Sequence, residues 1–326
     1  MATADSPATR RIEASPVRQS DGFKAVKVLL IEQAMGRSVL RSALGTLEIT
    51  DIEEWNAVKT EPLDLAALAD FDLIIANIDD GDEAAAQMLR SLRNGTIPGN
   101  PFVPAIITCG SSLAATVRAA VDAGADAVVL KPYSLKQIMD PVAALVARRR
   151  PFVVTVDYVG PERRTGQRSG QAIEQIDVPN RLAAKIRNLD PVSLMTAESE
   201  AWALIERQRT LRIAFQALFL VRLAAAAGSL GAGAARRDLA RLPALARELS
   251  TRIDDPDELP LLKSFTSWLG TFPSLADDAA RRASCDEAGR ALGTLLAALG
   301  SGEAPAEAIA QADAAVFSYC QRLTAA

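Results

Sequence analysis

The stretch Ala-Gly-Ala-Asp-Ala-Val-Val-Leu-Lys-Pro, residues 123–132, decides how the first half of this chain is interpreted. A small polar turn, Ala123–Asp126, precedes an apolar run, Ala127–Leu130, and a Lys-Pro pair follows it. A short apolar run bounded by turn residues is typical of a buried β-strand. Because a helical pattern follows it and similar strand-and-helix pairs precede it, we predict that it is the last strand of a sheet formed by residues 24–150.

The 24–150 segment alternates short β-branched runs with helical patterns. This alternation is typical of consecutive βα units, which form a doubly wound parallel sheet with helices on both faces. The unbroken apolar runs at 28–31 and 73–76 are those expected of central strands covered on both faces. The predicted strands are Val26–Ile31, Ile49–Trp55, Leu73–Asn77, Ala105–Thr108 and Ala127–Leu130, and the predicted helices are Met35–Leu47, Pro62–Ala69, Asp82–Arg93, Leu113–Ala123 and Ser134–Ala147.

Polar residues at the strand ends form the candidate site of this sheet. In an open parallel sheet, the side chains that carry chemistry gather at the carboxyl edge of the strands. We therefore expect the candidate residues to lie close together at one edge. They are Glu32, Gln33, Asn77, Cys109, Lys131 and Pro132.

The strand ending Leu130-Lys131-Pro132 and the strand Asp72–Asn77 resemble those of receiver domains in two-component signalling, the family of the chemotaxis response regulator. The resemblance covers residues 24–148 and implies a flavodoxin-like receiver fold. In that family the first strand ends in two acidic residues that hold magnesium, and the third ends in the aspartate that accepts phosphate. The fourth ends in Thr or Ser, and the fifth in a Lys-Pro pair.

Several positions depart from this family pattern. The acidic pair is replaced by Glu32-Gln33, the acceptor position holds Asn77, and the hydroxyl position holds Cys109. An uncharged amide is a poor nucleophile, so Asn77 cannot form an acyl phosphate. Magnesium prefers hard anionic oxygens, and Lys131 offsets the charge of Glu32. We expect a degenerate receiver with no phosphorylation, metal or cofactor at this site, in which Lys131 pairs with Glu32.

Two neighbouring features bear on the same interpretation. Asp79 and Asp80 follow the acceptor position and could be alternative acceptors or metal ligands. The preferred interpretation is that they are solvated loop carboxylates before a helix that starts at Asp82, where acidic side chains interact favourably with the helix dipole. Val128 lies three residues before Lys131, where the family often has an aromatic residue that reports phosphorylation. The joint loss of acceptor, hydroxyl and aromatic residue indicates a receiver held in one conformation.

Composition narrows the remaining classes of function. A formal net charge of −4 offers no overall electrostatic footprint for nucleic acid or anionic membrane. The chain has no histidine, which excludes His-based catalysis and a phosphohistidine relay within this chain. The three cysteines, Cys109, Cys285 and Cys320, are widely spaced, as expected in a reducing cytoplasm. Residues 1–23 lack the apolar core of a secretory signal and are predicted to be a disordered tail.

Residues 151–195 are rich in Pro, Gly, Arg and Gln and are predicted to be a basic linker or extension, strand-like only at Phe152–Val156. The phrase Tyr158-Val-Gly-Pro-Glu-Arg-Arg164 resembles an extension that follows receiver domains in alphaproteobacterial regulators. Arginines are concentrated over residues 148–168, and two interpretations stay open. They form a solvated segment paired with nearby acids, or a patch through which a transcriptional regulator binds nucleic acid.

Residues 196–326 are predicted to be an α-helical interaction domain. An apolar stripe at helical spacing, including Leu211 and Leu218, is typical of a bundle core. The most apolar stretch, Ile213–Leu230, contains Arg222 and is predicted to be a buried helix rather than a membrane span. The helices are predicted near 196–227, 234–253, 257–271, 274–299 and 305–323.

These observations favour a non-enzymatic, cytoplasmic signalling protein, because the sequence of the helical half contains no Gly-rich phosphate loop or basic recognition helix. Its receiver would dock protein partners, through the face around 113–123 and 134–147 that the resemblance implies, and its helical domain would bind a partner or form a homodimer. One alternative is nucleic-acid binding through residues 148–168. Another is a small-molecule or redox sensor that uses Gln33, Asn77 and Cys109.

Overall fold

The computed structural model describes residues 19–55, 68–78, 84–110, 114–163, 174–226, 237–272 and 278–324 of the chain. Its strands are β1 (Lys27–Ile31), β2 (Asp51–Trp55), β3 (Leu73–Ile78), β4 (Ala105–Cys109), β5 (Ala127–Leu130), β6 (Phe152–Val154), β7 (Val159–Pro161) and β8 (Gln175–Ile176). Its helices are α1 (Gln19–Lys24), α2 (Ala34–Thr46), α3 (Ala84–Arg93), α4 (Ala114–Asp122), α5 (Leu135–Ala147), α6 (Arg181–Ile186), α7 (Pro191–Ala226), α8 (Leu242–Arg252), α9 (Leu259–Thr271), α10 (Asp278–Ala298) and α11 (Pro305–Thr324). Most of the helix predicted at Pro62–Ala69 falls outside the described residues.

Strands β1 to β5 form a parallel sheet in the order β2-β1-β3-β4-β5. This is the strand order of flavodoxin-like doubly wound sheets. In the register of the central strands, Leu30 lies opposite Ile75 and Ile75 opposite Ile106, so the apolar runs of neighbouring strands lie side by side. The predicted fold class, a receiver-like α/β sheet followed by a helical region, is confirmed.

The sheet buries a hydrophobic core on each face. Because side chains alternate along a strand, Leu29 and Ile74 pack in one core with α3 and α4, whereas Leu30 and Ile75 pack in the other with α2 and α5. Ile138 of α5 is fully buried in the second core. The helices therefore cover both faces and leave the carboxyl edge of the strands for polar side chains.

Helix α5 begins with a complete capping box. The Ser134 hydroxyl accepts a hydrogen bond from the Gln137 amide, and the Gln137 side chain accepts one from the Ser134 amide at 2.8 Å. This arrangement satisfies two of the free N–H groups at the start of the helix. The cap lies at the start of the helix predicted over Ser134–Ala147, directly after the Lys131-Pro132 turn, whose peptide bond is cis.

Residues 151–195 contain more secondary structure than the sequence predicted. Three short strands, β6 to β8, form an antiparallel sheet in the order β7-β6-β8, and helix α6 follows them. Phe152 is fully buried and was recognised as strand-like, but β7 and β8 have only three and two residues. Strands this short show no alternating pattern, which explains why the sequence did not reveal them. The residues from Arg164 to Ile173 lie outside the described part of the chain.

Two glycines let β7 approach the turn that precedes β5. Gly124 has a left-handed backbone conformation, with φ of +85°, and a Cβ on it would lie 3.0 Å from the carbonyl oxygen of Val159. A Cβ on Gly160 would lie 2.9 Å from the Cα of Gly124. The two backbones are thus closer than side chains would allow, and the small extension packs directly on the parallel sheet domain.

The chain divides into two compact units, Met1–Leu204 and Ile205–Ala326. The boundary lies inside α7, which begins at Pro191 rather than at the predicted Thr196. Residues 19–23, predicted as part of the tail, belong largely to α1, and residues 1–18 lie outside the described part.

The second unit is helical in its described residues, as predicted. Ile213, Leu218 and Val221 are buried, so the apolar stretch of α7 forms a core. Arg222 within that stretch pairs with Asp286 of α10 and Asp313 of α11, both at 2.6 Å. Among the described helices, none has a stretch long and apolar enough to cross a membrane.

Candidate functional site

The carboxyl edge of the sheet brings together Glu32 after β1, Asn77 near the end of β3, Thr108 in β4 and Lys131 after β5. The register of the two central strands places Asn77 opposite Thr108. Three of these four residues were predicted, and the edge is the place where a doubly wound sheet gathers its functional groups.

Glu32 is the centre of this site. Its side chain is 1% exposed, and its Oε1 accepts hydrogen bonds from Lys131 Nζ at 2.8 Å and from the Gln33 amide at 2.9 Å. Its Oε2 accepts from Thr108 Oγ1 at 3.0 Å and from the Tyr133 hydroxyl at 3.3 Å. A buried carboxylate requires this number of donors, because it has lost its hydration.

The site has room for the Glu32 carboxylate because residue 36 is a glycine. A Cβ on Gly36 would lie 2.7 Å from Glu32 Cδ and 3.0 Å from Oε2. Glu32 is held between the first turn of α2 and the end of β4, pointing inward rather than to solvent. Lys131, with 25% of its side chain exposed, closes the site from the solvent side.

Asn77 lies at the acceptor position as predicted. It is half-buried, and its Oδ1 lies 3.5 Å from Thr108 Oγ1, a long contact next to the 3.0 Å bond that the same hydroxyl makes with Glu32. Its amide is neutral and has no nucleophilic oxygen anion. Gln33, the second predicted metal position, is exposed, while its backbone amide bonds to Glu32.

The prediction that Cys109 occupies the hydroxyl position was wrong. The residue whose side chain reaches Glu32 and Asn77 is Thr108, which is fully buried. Cys109 is also fully buried, but it packs in the hydrophobic core on the opposite face of the sheet. Successive strand residues face opposite sides, so a shift of one residue exchanges the site for the core. A hydroxyl group, that of Thr108, therefore lies at this edge of the sheet, and the threonine beside the cysteine was the available signal.

Tyr133 was missed by sequence reasoning. It follows Lys131-Pro132 in the turn before α5, and its hydroxyl reaches Glu32 Oε2. An aromatic residue after a Lys-Pro pair carries no distinctive pattern of its own, and only its hydrogen bond in the structure shows where its hydroxyl lies. Asp79 and Asp80, the alternative acceptors, lie outside the described residues.

Among the described side chains of the site, the formal charges sum to zero. One carboxylate, Glu32, faces one ammonium group, Lys131. Within the described ranges no group of three or more His, Cys, Asp or Glu side chains is arranged to hold a metal ion. A divalent cation placed here would meet one carboxylate that is already bonded to Lys131, which makes it a poor magnesium site.

The arginines of the basic segment are largely used within the protein where they are described. Arg149 has a side chain only 4% exposed, and it binds Asp126 and the carbonyl oxygens of Phe102 and Pro179. Arg163 donates to the carbonyl oxygen of Ala125. These contacts agree with internal pairing of Arg149 and Arg163, whereas Arg148 and Arg150 are exposed. Arg164 and Arg168 lie outside the described part of the chain.

The geometry of the Glu32 site also bears on the alternative that this site senses a small molecule or an oxidant. The Cys109 thiol is fully buried and packs in the core, so an oxidant in solution has no direct access to it. Glu32, Thr108 and Lys131 already satisfy one another, which leaves Gln33 and Asn77 as the predicted residues nearest to solvent. The burial of Cys109 therefore argues against a redox reaction there, and a polar ligand would meet Gln33 and Asn77 first.

The comparisons with known proteins are limited to the fold. Among solved structures, the chain is similar to a CheY-like response regulator protein from Mesorhizobium loti, with 19% sequence identity and a TM-score of 0.29. The match covers 37% of this chain and 98% of that chain. No protein-family model matches the sequence, and no curated protein matches it. The strand order and the edge site of the structure itself define a receiver-like α/β domain joined to a helical region.

Proposed function

We propose that the α/β domain is a receiver-type docking module in signal transduction that works without phosphorylation. The observation that carries this proposal is the position of Asn77, an amide at the edge where a phosphate acceptor would lie, beside a Glu32 already bonded to Lys131 and Thr108. Phosphoryl transfer to this position would need a carboxylate nucleophile at residue 77 and a divalent cation, whereas residue 77 is an amide and the described carboxylate of the site, Glu32, is already bonded to Lys131.

The module is held in one conformation by Glu32. In a receiver that switches, the hydroxyl and the lysine are expected to move towards a bound phosphoryl group. Here Thr108 and Lys131 are already bonded to a permanent anion, at 3.0 and 2.8 Å. Removing one partner of a buried, hydrogen-bonded ion pair costs roughly 3–5 kcal/mol, so these contacts persist without an external signal.

The output of such a module is binding to a protein, because the described side chains at its edge, Glu32, Thr108 and Lys131, are bonded to one another. The helical unit supplies a second binding surface, for a protein partner or for a second copy of the chain. The chain is accordingly a non-enzymatic component of a signalling pathway, whose control lies in its partners or in its amount.

The proposal is tested by treating the purified full chain with acetyl phosphate and magnesium, and separately with beryllofluoride and magnesium. Intact-mass measurement should show no phosphoryl adduct, and amide NMR spectra should show no shift at Thr108 or Lys131. A phosphorylatable receiver treated in parallel controls for active reagents. A stoichiometric adduct on the chain, or beryllofluoride-induced shifts at the edge of the sheet, would overturn the proposal.

A further inference from the structure

Strand β5 lies at the edge of the parallel sheet, where it pairs only with β4 among the described strands. It has four residues, of which only Val129 is buried, and Leu130 at its end is 43% exposed. A short edge strand that buries so little surface is expected to be one of the least stable parts of a sheet. The position of β5 therefore depends on the residues that flank it.

The end of β5 is fixed by the Glu32 site. The Lys131 amide donates to the carbonyl oxygen of Cys109 in β4 at 2.8 Å, and Lys131 Nζ binds Glu32 at 2.8 Å. Thr108, near the end of β4, binds the same carboxylate at 3.0 Å. One buried carboxylate thus holds the ends of β4 and β5 together.

The start of β5 is fixed in the same way by a second buried carboxylate, that of Asp126. Its amide donates to the carbonyl oxygen of Ala105, the first residue of β4, at 2.7 Å, and its Oδ2 accepts from the Ala105 amide at 2.9 Å. Arg93 and Arg149 bind the same carboxylate at 3.2 and 2.7 Å. Because the Asp126 side chain is only 2% exposed, water does not weaken these bonds.

The antiparallel extension, strands β6 to β8, contacts this end of β5 through the turn that precedes it. A Cβ on Gly160 of β7 would lie 2.9 Å from the Cα of Gly124 in that turn. Arg163, two residues after β7, donates to the carbonyl oxygen of Ala125. Phe152 of β6 is fully buried against the two guanidinium groups that bind the carboxylate. The extension therefore touches the start of β5 through backbone, side chain and ring.

We propose that the extension is a lock on β5, which acts at the start of the strand while the Glu32 site acts at its end. This proposal rests on the function proposed above, because it names the second element that keeps the docking module in one conformation. Since β5 buries little surface of its own, moving β7 away from Gly124 frees the strand along its whole length. The extension is thereby the part of the chain through which a protein partner changes β5 without a phosphoryl group.

Residue-resolved amide hydrogen exchange of the full chain, measured by NMR, tests the lock. The reporters are the amides of Asp126 and Lys131, which are hydrogen-bonded to β4 at the two ends of β5. The reference is the amide of Asp72, which donates to the carbonyl oxygen of Lys27 at 2.9 Å, between β1 and β3. A lock on the strand changes both reporters, whereas a local contact of the extension changes only the first.

The variant Gly160→Ala forces β7 away from the turn, and Gly45→Ala is the matched control, because a Cβ there meets open space. In Gly160→Ala we expect exchange at both reporters to rise about tenfold relative to the reference, as overpacking at a close backbone contact implies. In Gly45→Ala we expect no change in this ratio. Faster exchange at Asp126 alone would overturn the lock. An equal rise at all three amides would also overturn it, because the extension would then stabilise the whole domain rather than β5.

A milder variant, Arg163→Gln, gives the same test should Gly160→Ala fail to fold. It removes the bond to Ala125 and adds no bulk, so we expect the same pattern with a rise of about fivefold. Unchanged exchange at the Lys131 amide in a folded variant would overturn the lock and leave the proposed function intact. A phosphoryl adduct on the full chain would overturn the proposed function, on which the lock rests, whatever the exchange rates.

Discussion

Arg149 binds both carboxylate oxygens of Asp126, through Nε at 2.7 Å and Nη2 at 3.0 Å. Asp126 also accepts from Arg93 Nη2 at 3.2 Å, and all three side chains are at most 4% exposed. Both guanidinium groups lie over the Phe152 ring, with their carbons 4.8 and 5.3 Å from its centroid. A single aspartate from the turn before β5 therefore holds the end of α3, the end of α5 and the first strand of the extension.

Loss of this aspartate should destabilise the first unit strongly. Asp126→Asn leaves two buried guanidinium groups without their counterion, and we expect the free energy of unfolding to fall by roughly 3–5 kcal/mol. Urea denaturation of the full chain measures the effect. Asp140→Asn serves as the control, because Asp140 pairs with Lys136 on the surface and should change little. Equal, small changes in both variants would contradict the role assigned to Asp126.

The Glu32–Lys131 pair should show energetic coupling. A double-mutant cycle with Glu32→Gln, Lys131→Met and the double variant should give a coupling energy of about 1–3 kcal/mol, because each side chain contacts the other directly. Urea unfolding measures the change in the free energy of unfolding for each single variant and for the double variant. Additive effects would show that the two charges do not stabilise each other in solution. Lys136→Met, in place of Lys131→Met, is the matched control and should be additive with Glu32→Gln.

Gly124 should tolerate no side chain. Gly124→Ala places a Cβ 2.9 Å from Arg93 Cγ and 3.0 Å from the Val159 carbonyl oxygen, in addition to its backbone strain at φ of +85°. Gly302→Ala has a similar φ of +77° with open space around the Cβ, so it isolates the strain alone. We expect the free energy of unfolding to fall by about 1–2 kcal/mol in Gly302→Ala and by roughly 1–3 kcal/mol more in Gly124→Ala. Similar losses of stability in the two variants would show that β7 does not lie close enough to this turn to exclude a side chain.

Asp72 should make stability depend on pH in a defined direction. It is fully buried, its Oδ1 has no hydrogen-bond partner among the described residues, and burial raises the pKa of its carboxyl group. In the interval above its unfolded pKa and up to its folded pKa, the folded chain binds more protons than the unfolded chain, so stability falls as pH rises.

The variant Asp72→Asn removes this titration while keeping an oxygen for the Lys27 amide, which donates to Asp72 at 2.9 Å. Relative to the natural chain, the variant should gain stability as pH rises through that interval and keep a constant difference above it. Thermal unfolding of both chains from acidic to neutral pH measures the difference. A difference that stays constant over that range would show that the pKa of Asp72 is not raised.

Much of the structure of the α/β domain could be predicted from the residue pattern of short segments. Strands such as β1 and β3 are buried on both faces and therefore are unbroken apolar runs, and the ends of those runs located Glu32 and Asn77 at one edge. The cap at Ser134 was equally local, since its partner Gln137 is three residues away. The ends of the strands were predicted less well. An error of one residue at the end of β4 assigned Cys109 to the position beside Glu32 that Thr108 occupies.

By itself, the sequence determined the order of strands β1 to β5 and of helices α2 to α5 along the chain, the class of fold and the neutral side chain at position 77, because these depend on periodicity and residue type along short segments. Only the tertiary structure decided that Thr108 and Tyr133 bind Glu32 and that Asp126 joins Arg93 and Arg149. Each of these is a distance between groups far apart in the chain. Such distances are set by the packing of whole elements, which no local pattern encodes.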